Sequence, residues 1–327
     1  MTNKNPHHIV FSYSFDQDGK AIKIDDNMVA NDLKNPELSW VHLDGSNKNT
    51  KKWLEKEVDY LDHLIIEALI ANETRPRILK FEHGILLILR GITDNKNIKK
   101  SEMVSIRLWI DDERIISIQR RPMKSIFELE KKINNDLNIL NSADFLSSFL
   151  NLTINDINEY IYSTGEVMDK IEHEVLATHN MKFREKIVHT RSQLTVSRRY
   201  LAPLKEVIMN LKTCKYSWID DLTIRHFQEN FEKITHIIEE TDEILIRSKI
   251  LHDELSHALN EKINRNMFKL SMIAIIFMPL TFITSLFGMN FVKIPWAENP
   301  NGFYIACVLM VIVTIIQLFF FKRKDWF

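Results

Sequence analysis

LSMIAIIFMPLTFITSLFGMNFV, residues 270–292, decides the architecture: between Lys269 and Lys293 it holds no charged residue. A helix rises about 1.5 Å per residue, so roughly 20 residues cross a hydrocarbon core of about 30 Å. The stretch passes that test. So does FYIACVLMVIVTIIQLFFF, residues 303–321, which lies within a charge-free interval from Glu298 to Lys322. Two adjacent spans make a hairpin, with spans expected at about 270–289 and 302–321.

The flanks orient it. Lys262, Arg265 and Lys269 precede the first span, and Lys322, Arg323 and Lys324 follow the second. The connecting loop carries only Lys293 and Glu298, with Trp296 at its interface. Positive charge on both outer flanks predicts cytoplasmic termini and an external loop. The N-terminal stretch MTNKNPHHIVFSYS has no basic region followed by an apolar run, so no signal peptide is expected and residues 1–265 are assigned to the cytoplasm.

Upstream of the hairpin the pattern is helical and charged. Segments 145–178 and 182–213 are almost free of breakers, with Pro203 an expected kink. From about residue 222 a third helix begins. Ile234, Ile237, Thr241, Ile244, Ser248, Leu251, Leu255, Ala258 and Ile263 step by three and four, which marks a buried face. No breaker intervenes before Pro279, so one helix is expected over roughly 222–289. Residues 1–140 read instead as an α/β domain: short β runs recur at 8–15, 38–44, 84–92, 104–111 and 114–120, the last two forming a hairpin, with helical stretches such as 50–72 between. The expected order is thus an α/β domain over 1–140, a helical stalk over 141–265 and a transmembrane hairpin over 266–327.

Composition removes several functions. Lys and Arg number 43 against 44 Asp and Glu, net charge −1, which lacks the basic surplus of a nucleic-acid binder. The seven glycines never approach one another as a phosphate-cradling loop requires, the nearest pair being Gly84 and Gly91. Cys214 and Cys307 make no metal knuckle or disulfide framework. His173 and His179 are six apart, on nearly opposite sides of a helix, and the zinc-protease motif needs four. No nucleophile–base constellation supports an enzyme.

Gly288-Met289-Asn290 closes the first span. A glycine there permits a tight exit from the helix. An asparagine just beyond sets an uncharged amide at the outer mouth, and a ring of such amides from several subunits would offer carbonyl dipoles to a hydrated cation. The triplet, its setting in IIFMPLTFI and the basic-tailed second span resemble the CorA superfamily of divalent-cation transporters. WVHLDG (40–45), ETRPR (73–77), LLILRG (86–91), MVSIRLW (103–109) and RRYLAP (198–203) resemble its ZntB-like, zinc-transporting branch. Met289 departs from the Ile or Val common in that branch. Lys293 stands where magnesium-transporting members carry acidic residues.

The resemblance implies a funnel-shaped homopentamer with the first span lining the pore. Asn290 would form the outer selectivity ring, together with Gly288 and Met289. Thr281 would form a hydroxyl ring, Met278 and Leu270 apolar constrictions, and Met267 and Asn264 the inner mouth. The spacing of Met267, Leu270, Ala274, Met278 and Thr281 supports one helical face independently. His252, Asp253 and His257 form a weaker candidate for a metal on the stalk. The expected partners are divalent cations, further copies of the chain and the lipid bilayer, and no nucleic acid or resident cofactor is expected. The expected function is divalent-cation transport, zinc first and in proton-coupled uptake, with a magnesium or cobalt channel as the alternative. A membrane-anchored sensor or scaffold stands further off, and it would tolerate Asn290→Ala.

Overall fold

The structure, a computed structural model, describes residues 8–58, 60–72, 75–93, 103–135, 137–178, 180–289 and 300–323. Its elements are β1 (Ile9–Phe15), β2 (Ala21–Lys23), α1 (Val29–Asp32), β3 (Ser39–Asp44), α2 (Lys48–Glu57), α3 (His63–Ile70), β4 (Arg77–Lys80), β5 (Gly84–Gly91), β6 (Val104–Asp111), β7 (Arg114–Gln119), α4 (Lys124–Asn134), α5 (Ser142–Thr178), α6 (Phe183–Leu211), α7 (Asp221–Phe287) and α8 (Gly302–Arg323).

The strands form one sheet in the order β2-β1-β3-β7-β6-β5-β4. β3 and β7 pair in parallel, and every other pairing is antiparallel, including the β6–β7 hairpin expected from sequence. Successive strand residues face opposite ways, which gives the sheet two buried sides. On one, Val41, Leu43, Leu86, Trp109, Ile116 and Ile118 pack with Leu54 of α2 and Ile65, Ile66 and Leu69 of α3. On the other, Trp40 meets Phe145 of α5 edge-on at 4.8 Å, and His42 lies 6.1 Å from Phe127 of α4. Strand β3 is therefore covered on both sides, which suits its run of buried residues.

Two polar details lock this core. Trp40 Nε1 donates to Ser117 Oγ at 2.8 Å, and Ser117 Oγ donates to the Val41 carbonyl at 3.2 Å. His42 Nδ1 hydrogen-bonds to the same oxygen at 2.7 Å. Burial then holds His42 neutral, its pKa pushed down to about 3.

The helix expected over 50–72 is two helices. Val58 ends α2, and Asp62 starts α3 by accepting the Leu64 amide at 2.9 Å. α6 runs through Pro203. The chain divides into two compact units, residues 1–252 and 253–327, and α5 packs against strand β5 in the first. Within the first unit Arg247 of α7 pairs with Asp169 and Glu172 of α5, and Arg198 of α6 donates to Asp242 of α7 at 2.7 Å. The stepped face of α7 is buried from Ile234 through Leu255, but Ile263, expected on it, is 47% exposed.

Candidate functional site: a helical hairpin with an uncovered face

α7 and α8 are both long and apolar enough to cross a membrane. Their side chains are turned outward, with Leu270 74%, Met278 71% and Phe303 75% exposed. In water such a surface would be untenable; in lipid it is the ordinary state of a span.

The two sides of α7 differ. Met272 is 5% exposed, and Ile276, Pro279, Ile283 and Phe287 are half-buried on the same side. At 3.6 residues per turn, Met267, Leu270, Ala274, Met278 and Thr281 fall on the opposite side. All of them are exposed, as is Asn264 one turn earlier. The expected pore positions therefore share one face, and that face is the one α8 leaves free.

The chemistry of the free face is spare. Thr281 Oγ1 donates to the Phe277 carbonyl at 2.9 Å, so its remaining capacity is acceptor lone pairs. Thr284 bonds back to Leu280 and Thr281 in the same way, at 3.1 and 3.0 Å. No carboxylate, imidazole or thiol stands on α7 between Lys269 and Phe287. The face offers hydroxyl oxygen, apolar side chains and, as its only soft donors, the weak thioether sulfurs of Met267 and Met278.

At the outer end the Gly288 amide donates to the Thr284 carbonyl at 2.9 Å, completing the last turn. Met289 follows, 46% exposed. Asn290 lies outside the described residues, as do Lys293, Trp296, Glu298 and Lys324. Among the described residues no group of three or more His, Cys, Asp or Glu side chains comes together to hold a metal.

Sequence reasoning missed Gln317. Pro279 has no N–H, so the carbonyl four residues earlier, that of Ile275, loses its helical partner. Gln317 of α8 supplies the replacement, Nε2 donating to Ile275 O at 3.2 Å. A backbone acceptor in hydrocarbon has no water to pair with, and an amide in the second span closes the gap made by a proline in the first. The available signal was the pairing of an interior proline with an isolated amide on an adjacent span.

A family model described as "CorA-like Mg2+ transporter protein" matches residues 35–323. The chain is 30% identical to the zinc transport protein ZntB of Pectobacterium atrosepticum over 97% of this chain and 95% of that one. It is 27% identical to the divalent cation transporter CmaX of Pseudomonas aeruginosa over 97% of this chain and 96% of that one. The structure of a full-length CmaX protein superposes with a TM-score of 0.83 at 26% identity, covering 99% of this chain and all of that one.

Proposed function

The chain belongs to the CorA-like transporter family, and from that premise we propose that it carries divalent cations across the inner membrane, zinc first, along a path lined by the free face of α7. The observation that carries this reading is the opposition of the two sides of α7: one closed by α8, the other open and holding Asn264, Met267, Leu270, Ala274, Met278 and Thr281. A face of this kind is completed by symmetric copies of itself. A homopentamer with both termini in the cytoplasm and Asn290 as the outer amide ring is the arrangement proposed.

With no carboxylate, imidazole or thiol on α7 between Lys269 and Phe287, the ion passes with much of its water shell in place. Magnesium in particular surrenders water reluctantly. Zinc preference then comes from hydrated geometry or from coupling to protons, and the full-length zinc-transporting relative supports that order. A magnesium or cobalt channel is the second reading, favoured by Met289 at the centre of the triplet and by the family description. No group of residues here supports an enzymatic role.

The test is ion flux into liposomes holding the purified protein, with zinc, magnesium and cobalt compared with and without a pH gradient. Zinc uptake that rises with an inward proton gradient, and is lost in Asn290→Ala, is the expected result. Magnesium uptake driven by voltage alone would select the channel. Folded protein that moves no divalent ion would leave the hairpin as an anchor. Native mass spectrometry of the detergent-purified protein gives the subunit number, five being expected.

A further inference from the structure

Three arginines converge at one corner of the sheet, on the side covered by α3. Arg107 of β6 stands opposite Ile88 of β5 and Ile118 of β7, and Arg90 stands opposite Ser105. Residues two apart on a strand share a face. Arg90 follows Ile88 by two and Arg120 follows Ile118 by two, so Arg90, Ser105, Arg107 and Arg120 occupy the same face. Ser105 lies between Arg90 and Arg120, with Arg107 one layer deeper.

The deeper guanidinium is short of partners. Arg107 is 1% exposed, and its Nη2 donates to the Ala71 carbonyl at 2.6 Å, while Nε and Nη1 are buried without a partner. Arg120 reaches the same end of α3, donating to the Ile70 carbonyl at 2.7 Å. Arg90 donates to the Met103 carbonyl at 3.0 Å and lies 3.9 Å from the ring centroid of Tyr200. The carbonyl end of a helix offers about half a negative charge, less than the full charge on Arg107. Burial first, then Arg120 and Arg90, pull the Arg107 pKa down to about 10, and no described carboxylate acts against them. Buried cations are ordinarily paired. Arg120 is exposed and Ser105 half-buried, which leaves a way in from solvent.

We propose that this corner binds a phosphate-class oxyanion, with Arg107 as its floor, Arg90 and Arg120 as its sides and the Ser105 hydroxyl as a further donor. Several guanidinium forks around one hydroxyl suit an ion with several oxygens better than a halide. The proposal concerns the sheet unit and stands whether or not zinc is the cargo.

The experiment is thermal unfolding of the full chain in detergent, titrated with inorganic phosphate, with adenosine monophosphate, and with sodium chloride at matched ionic strength. A saturable upward shift with phosphate, absent with chloride, is expected. Arg120→Gln should weaken the half-saturating concentration by about tenfold or more, the size of one lost charged hydrogen bond. A tighter response to the nucleotide would also support the site and make a phosphorylated metabolite its source. Because Arg107→Gln risks the fold, the exposed Arg120 and the small Ser105→Ala change carry the test. A phosphate shift unaltered in Arg120→Gln would overturn the proposal, since phosphate also strengthens burial non-specifically.

Discussion

Ile246, in the N-terminal part of α7, is 61% exposed, and Ile316, in α8, is 57% exposed. The same side chain at nearly the same exposure has opposite meanings in the two regions. Around Ile246 the helix carries Glu243, Arg247 and Lys249, so the exposed Ile246 and Ile250 are interspersed with charge. Around Ile316 the neighbours are Val311, Ile312, Ile315, Phe319 and Phe320, all exposed as well. Exposure therefore describes the contact a residue lacks within the chain, and the surrounding pattern says what fills it. In the sheet unit apolar residues are hidden, and the interior solvates the few polar ones. In the hairpin apolar residues are displayed, and the few polar ones must solvate each other.

The sharpest way to break this contrast is a charge on each isoleucine. Ile316→Lys should cost about 2.5–3.5 kcal/mol of insertion free energy if it sits near the bilayer centre, read as loss of the membrane-integrated fraction. The matched Ile246→Lys, discussed last, is its control.

The next effect concerns how each interior holds a polar ring or amide. In the sheet unit His42 is neutral when folded, with a pKa of about 3 against 6.5 unfolded. The folded value is depressed, so the unfolded chain takes up the proton first. The stability this represents is complete above the unfolded pKa and is lost as pH falls from 6.5 towards 3. By pH 5 the loss is roughly 2 kcal/mol, at about 1.36 kcal/mol per pH step below 6.5. The drop in unfolding midpoint between pH 7 and pH 5 should be smaller in His42→Gln than in the wild type. An equal drop in both would show that other groups set the acid limit.

In the hairpin, Gln317→Leu removes the donor to Ile275 and should cost about 0.6–1.7 kcal/mol, the measured range for interhelical bonds in membranes. Pro279→Ala restores the N–H that the carbonyl lost, so the double variant should recover most of that cost. If Gln317→Leu is equally harmful in both backgrounds, the amide does not serve the proline gap. The smallest effect is Ile246→Lys, expected within about 0.5 kcal/mol of the wild type. A large loss there would mean that this part of α7 is covered in the assembled protein.

Much of this organisation was legible beforehand because it is local. Charge-free runs marked both spans, and the three-and-four stepping of Ile234 through Leu255 marked the buried side of α7. Strand β6 followed from VSIRLWID, buried at nearly every position. β2 and β4 escaped notice because they are short and largely exposed, AIK and RILK, with no alternation to read. The parallel pairing of β3 with β7 joins residues about 75 apart in sequence, Trp40 with Ile115, and no nearby pattern specifies it. The arginine corner was hidden for the same reason: Arg90, Arg107 and Arg120 come from three strands, and only register makes them neighbours. For the candidate site, the resemblance named the residues of the α7 face, and spacing alone showed only that Met267, Leu270, Ala274, Met278 and Thr281 share it. Gln317 was not readable, because a single amide in an apolar run looks tolerated until the helix opposite is known to lack an N–H.

That bond also bears on how the protein is made. Ile275 and Gln317 are 42 residues apart, so the Ile275 carbonyl leaves the ribosome before the group that completes it does. Until α8 follows, the Ile275 carbonyl needs water or a polar wall of the insertion machinery, and a lone first span is ill suited to release into lipid. The two helices are thereby committed to enter the bilayer together, and a chain truncated before Gln317 should be retained at the insertion site or degraded.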